Sequence, residues 1–171
     1  MRSWSAAVWL YLDRRILALF ILGFASGLPL LLVYSTLSFW LRQESVSLTE
    51  IGWFSLAGTA YGFKFLWAPL VDHIRIPILA TRLGQRRSWL LCAQVAVAAT
   101  IVALGATNPG EALTLTAFWA VALAFASATQ DIVVDAFRIE MLEDEEQGSG
   151  AANFVNGYRV GTLAAGAGAL I

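Results

Sequence analysis

The sequence predicts an all-α fold, a polytopic transmembrane bundle of about five helices, and three observations carry that expectation. Of 171 residues, 58% are hydrophobic and only 13% are charged, against about 25% charged residues in soluble domains; the mean hydropathy is +0.69. The apolar residues fall into five runs, each near the roughly 20 residues that a helix needs to cross a bilayer. Barrel-type alternation is absent: a continuous run such as Ile16 to Phe24 would put apolar side chains into a polar lumen.

The first run, Ile16 to Trp40, follows Arg14 and Arg15 as a secretory signal would. It outlasts the roughly 7 to 15 residues of a signal core, and more apolar runs follow it, so it reads as the first spanning helix. An interruption is expected at Gly27-Leu28-Pro29, where proline removes a backbone hydrogen bond and favours a kink. The other spans are Ile51 to Leu70, Ser88 to Gly105, Leu113 to Val134 and Gly150 to Ile171. Because the fifth is still apolar where the chain stops, residues 1–171 are expected to be the truncated N-terminal transmembrane domain of a longer protein. Gly23 and Gly27 in the first span, and Gly157 and Gly161 in the fifth, make small-xxx-small patterns that allow close helix approach.

Orientation follows from the arginines. Arg2, Arg14 and Arg15 precede the first span, and Arg75, Arg82, Arg86 and Arg87 lie between the second and third. The positive-inside rule puts both segments, and with them the N-terminus, in the cytoplasm. The loop of Glu143, Asp144, Glu145 and Glu146 has no positive residue, but acidic residues weigh little in that rule. Trp40, Trp53, Trp67 and Trp89 fall near span ends, as an aromatic belt would place them.

Eleven Lys and Arg nearly balance twelve Asp and Glu, so no basic patch supports nucleic-acid binding. One cysteine, Cys92, and one histidine, His73, supply neither a disulfide nor a zinc site; no metal and no cofactor are expected.

The informative residues are polar ones inside the spans. A charge at mid-bilayer costs at least roughly 2.5 to 3.5 kcal/mol on insertion scales and calls for a partner or an aqueous cavity. Lys64 lies in the second span, Asp131 and Asp135 lie toward the inner end of the fourth, and Asn153, Asn156 and Arg159 lie in the first half of the fifth. At 1.5 Å per residue, Lys64 is ~9 Å from the inner end of its span, Asp131 ~10 Å from Arg138 and Arg159 ~13 Å from Gly150. A shared layer of charge lining an inward-facing cavity is therefore expected. Asp131, Asp135 and Arg138 are spaced i, i+4, i+7 on one helix face, with an Asp135–Arg138 ion pair as the structural expectation at the cytoplasmic end. Asp131, deeper and near Lys64 or Arg159, is the candidate for proton exchange during transport.

Four blocks resemble the AmpG muropeptide permeases of the major facilitator superfamily: Phe24-Ala25-Ser26-Gly27-Leu28-Pro29, Ile51-Gly52-Trp53-Phe54-Ser55-Leu56, Lys64-Phe65-Leu66-Trp67-Ala68-Pro69-Leu70-Val71-Asp72, and Ala128-Thr129-Gln130-Asp131-Ile132-Val133-Val134-Asp135-Ala136-Phe137-Arg138. The third and fourth are also similar to the related eukaryotic acetyl-coenzyme A transporters. The resemblance implies a major facilitator N-terminal half in a bacterial inner membrane, with the C-terminal helices of the same transporter as the missing partner. It implies import of N-acetylglucosaminyl-1,6-anhydro-N-acetylmuramyl peptides by proton symport, serving peptidoglycan recycling and β-lactamase induction. The site residues it implies, joined to those from the charge reading, are Gly27, Lys64, Gln130, Asp131, Asp135 and Arg159 for substrate or coupling. Asp72, Arg86 and Arg87 belong to the conformational and topological loop, whose arginines also suit anionic lipid head groups. Gln130 suits sugar hydroxyl and acetamido groups, and Lys64 and Arg159 suit carboxylates.

Other readings are a transporter of another solute, such as a coenzyme A ester, and an integral-membrane enzyme acting on cell-wall sugars. The enzyme reading has only the Asp131/Asp135 pair as acid and base, without a nucleophile motif or a metal-ligand cluster; the expectation is no enzyme.

Overall fold

The computed structural model describes residues 13–168; Arg2 and the expected end of the fifth span, residues 169–171, lie outside the described residues. Among the described residues the chain is an all-α bundle of five rods joined by short turns. Arg14–Gln43, Gln85–Gly105 and Leu113–Met141 are each long and apolar enough to cross a membrane.

The first rod opens at Asp13, whose carboxylate accepts a hydrogen bond from the Arg15 backbone N–H at 2.7 Å and so satisfies a free donor of α1 (Arg14–Leu31). The expected interruption is displaced. α1 runs through buried Pro29, and the irregularity comes three residues later, where Leu32–Thr36 widens into a π-turn before α2 (Leu37–Gln43). Pro29 leaves the Ala25 carbonyl without its N–H donor, yet the helix continues through it, as spanning helices can when packed against neighbours.

α3 (Leu48–Ser55) begins with a capping box: the Glu50 N–H donates to Ser47 Oγ at 3.3 Å and the Ser47 N–H donates to the Glu50 carboxylate at 3.1 Å. The Ser47 hydroxyl bond, followed by the Ser47 backbone bond, holds the Glu50 carboxyl below its ordinary value. The run expected as one span over residues 51–70 is a broken rod: 3-10 turns at Leu56–Gly58 and Lys64–Leu66 separate α3, α4 (Thr59–Phe63) and α5 (Ala68–His73). Three glycines, Gly52, Gly58 and Gly62, weaken the helix here. The Tyr34 ring also occupies the space over Gly58, where an added Cβ would meet its hydroxyl at 2.1 Å.

α6 (Leu79–Leu83) leads to Gly84, whose φ of 82° suits glycine, and to α7 (Gln85–Gly105). α8 (Leu113–Met141) continues past Val134, where the span was expected to end, so Asp135 and Arg138 remain helical. The Gln147 side-chain amide donates to the carbonyls of Ile139 and Leu142 at 3.2 and 3.0 Å, closing the end of α8 and starting α9 (Gln147–Gly168).

α8 is the central element. Toward the turn at Ser47 it packs Ala120, Leu123 and Ala124 with Val33, Leu37, Phe54 and Val97; toward the arginine-rich end Val134 meets Ile16, Leu19 and Leu22, and Val133 meets Val71. α1 and α9 touch along their backbones. A Cβ on Gly23 or Gly27 would lie 2.1 or 2.2 Å from the carbonyl oxygens of Phe154 or Tyr158, and one on Gly157 or Gly161 would lie 2.0 or 2.3 Å from those of Phe20 or Phe24. The two small-residue patterns thus face each other, each glycine making room for the other helix's backbone.

Candidate functional site

The polar residues converge where α1, the broken rod, α8 and α9 meet. Lys64 sits on the second 3-10 turn and its ammonium lies 3.6 Å from the Asp135 carboxylate. One turn away on the same face of α8, the half-buried Asp131 carboxylate lies beside the Ser26 hydroxyl, within electrostatic reach of Lys64, Asp135, Tyr61 and Tyr158. The Ser26 hydroxyl accepts from the Gln130 side-chain amide at 3.3 Å, and Gln130 is 1% exposed. Gln130 therefore ties α8 to α1, with one of its amide N–H groups committed.

The expected Asp135–Arg138 pair does not form: Asp135 is taken by Lys64, and Arg138 turns toward α9, its guanidinium 5.8 Å from the centre of the Phe154 ring. Arg159 does not join the charge layer either. The glycine seam fixes the rotation of α9 with Asn153, Gly157 and Gly161 inward, and two residues further, about 200° round the helix, Arg159 is exposed. Asn153 donates to the Ile16 carbonyl at 3.3 Å, whereas Asn156 is exposed. Gly27 lies in the seam against Tyr158.

Three tyrosines complete the site, and sequence reasoning missed them. Tyr34, just past Pro29, and Tyr61 face one another with ring centroids 6.3 Å apart; Tyr158 on α9 lies within reach of Asp131 and Tyr34. The hydroxyls of Tyr61 and Ser127 are buried against each other, with no further hydrogen-bond partner among the described residues. A signal for part of this set was available: Ser127, Asp131 and Asp135 are spaced i, i+4, i+8, and Tyr61 and Lys64 are spaced i, i+3, each a single helix face.

At the arginine-rich end, Arg86 bridges two rods, bonded to Asp72 at the end of the broken rod and to Glu140 near the end of α8 at 2.8 Å. Gln85 reinforces the contact by donating to the Asp72 carbonyl. Arg87 is exposed beside this bridge, on a shallow cavity lined by Arg86, Phe137, Glu140 and Met141.

A four-helix convergence of charge, hydroxyls and aromatic rings suits a polar solute that carries both hydroxyl groups and charge. Residues 15–114, more than half of the chain, match the family described as acetyl-coenzyme A transporter 1. The chain belongs to that family. Within it, the chain is 50% identical over 148 residues to the anhydromuropeptide permease of Escherichia coli K12, which covers 86% of this chain and 29% of that protein. It is 42% identical over 161 residues to a Rickettsia felis protein that carries the designation AmpG 4, covering 94% of this chain and 39% of that protein. A Haemophilus influenzae protein without an assigned function is 40% identical over 153 residues, 90% of this chain and 35% of its own length. The AmpG resemblance read from the four sequence blocks is borne out by these relatives. The chain spans about three to four tenths of their length. No solved structure matches it.

Proposed function

We propose that this chain is the N-terminal transmembrane part of a permease that imports N-acetylglucosaminyl-1,6-anhydro-N-acetylmuramyl peptides from periplasm to cytoplasm by proton symport. The observation that carries the reading is the 50% identity over 148 residues to a protein named anhydromuropeptide permease. In this reading the five rods each cross the inner membrane, the arginine-rich end faces the cytoplasm, and the remaining helices of the transporter complete the substrate path. Peptidoglycan recycling and β-lactamase induction follow from the import, and no enzymatic step is assigned.

The chemistry supports a division of roles. Lys64 exchanges its Asp135 partner for a substrate carboxylate, since a 3.6 Å ion pair between partly exposed side chains is readily displaced. Asp131, close to Lys64 but not paired with it, takes up and releases the coupled proton. Gln130 and Gly27 position α8 and α9 against α1. Arg159, on the face of α9 turned away from α1, meets substrate carboxylates only if the remaining helices bring the solute there. Asp72 and Arg86 hold one conformation of the loop, and Arg87 meets lipid head groups.

One observation favours a second solute: the family description names acetyl-coenzyme A. Uptake of labelled anhydromuropeptide and of labelled acetyl-coenzyme A into vesicles bearing the complete gene product separates the two. Accumulation of the muropeptide alone supports the proposal; accumulation of the coenzyme A ester alone replaces it.

A further inference from the structure

We propose that Tyr34 and Tyr61 form a stacking subsite for one pyranose ring of the transported solute, with the Tyr61 and Ser127 hydroxyls as its hydrogen-bonding edge. The inference rests on the permease reading above and adds residues that neither the charge pattern nor the sequence blocks assign.

Several independent features point to a ligand here. The Tyr34 and Tyr61 rings are tilted by 33° with centroids 6.3 Å apart, so they flare instead of packing flat against each other. Tyr34 keeps 43% of its surface exposed although its ring is seated in the space left by Gly58, so the position holds an exposed ring in a fixed place. Ser127 is 0% exposed and its hydroxyl lies against that of Tyr61, neither having a further partner among the described residues. Buried hydroxyls are normally fully satisfied, and a pair that has only each other keeps donor and acceptor capacity for a solute group or water. Asp131 lies within reach of Tyr61 and Tyr158, so the neighbourhood is polar, unlike a surface that meets lipid tails.

A pyranose ring fits this chemistry in both directions. Its C–H face is apolar and electropositive and seats on the electron-rich face of an aromatic ring. Its rim carries hydroxyl and acetamido groups that donate and accept, which suits a hydroxyl pair with spare donor and acceptor capacity such as Tyr61 and Ser127. A bare peptide or a nucleotide phosphate would use Lys64 but would leave this edge unsatisfied.

The test is calorimetric binding of N-acetylglucosaminyl-1,6-anhydro-N-acetylmuramic acid, which lacks the peptide, to the complete gene product in lipid nanodiscs. Tyr34→Phe keeps the ring and retains the wild-type affinity. Tyr34→Leu keeps apolar bulk but loses the ring, and weakens binding roughly tenfold, the scale of one lost aromatic contact. Tyr61→Phe weakens it several-fold by removing one hydroxyl. Thermal unfolding of the same samples shows that all three variants are folded. Wild-type affinity in Tyr34→Leu and Tyr61→Phe overturns the subsite while leaving the permease reading intact. Absence of disaccharide binding by the unaltered protein overturns both.

Discussion

Gln130 shows how a residue flagged for one task can have another. Its amide reaches Ser26 across the α1–α8 contact at 1% exposure, so replacing it removes a buried hydrogen bond and leaves Ser26 only its Asp131 contact. Gln130→Leu, close in volume, is expected to cost about 1 to 2 kcal/mol, read as a lowered unfolding temperature in detergent, and uptake falls because two helices shift. A loss of uptake without a loss of stability would return Gln130 to direct substrate contact. The charges at Lys64, Asp131 and Asp135 were legible in the sequence because apolar runs make every charge costly. Of the tyrosines only Tyr61 had a signal, its i, i+3 spacing to Lys64; tyrosine in a membrane helix otherwise reads as one more amphipathic ring, and the π-turn at Leu32–Thr36 shifts the register that would have assigned Tyr34 to a face.

At the scale of elements, the α1–α9 seam and the Arg86 bridge make separate predictions. Gly157→Ala would place a methyl 2.0 Å from the Phe20 carbonyl, a backbone atom that cannot step aside, and is expected to destabilise by about 1 to 3 kcal/mol. Gly52→Ala, with nothing within 4 Å, should raise stability by up to about 1 kcal/mol through helix propensity. Equal effects of the two would contradict the seam. Arg86→Gln loses contacts to Asp72 and Glu140, whose side chains are 44% and 53% exposed. Its effect on stability should stay below about 1 kcal/mol and shrink in salt. A double-mutant cycle of Arg86→Gln with Glu140→Gln should show coupling, and its absence would remove Glu140 from the bridge. The glycine spacings announced the seam, because only backbone contact needs small residues four apart on both helices. They also carried the information that Arg159 faces away, which the depth comparison alone ignored: depth fixes a layer but not a rotation. The two breaks in the second rod were legible only in part, as glycines; the first also seats Tyr34 over Gly58, a contact between distant parts of the chain that spacing does not announce.

For the whole molecule, the fold class followed from apolar run length and charge placement, because a bilayer allows a helical bundle or a closed barrel and little else. The charged residues supplied part of the site and the packing supplied the rest: four helices bring Lys64, Asp131, Asp135, three tyrosines and the buried Ser127 hydroxyl to one place. The central claim is that this place handles solute and proton together. The measurement that tests it most directly is uptake of labelled anhydromuropeptide into membrane vesicles, with and without an imposed pH gradient, by the complete gene product and by its Asp131→Asn variant at equal membrane abundance. Gradient-driven accumulation by the intact protein, reduced in the variant to equilibration that no longer responds to pH, is the predicted result. Undiminished gradient-driven accumulation by Asp131→Asn would contradict it.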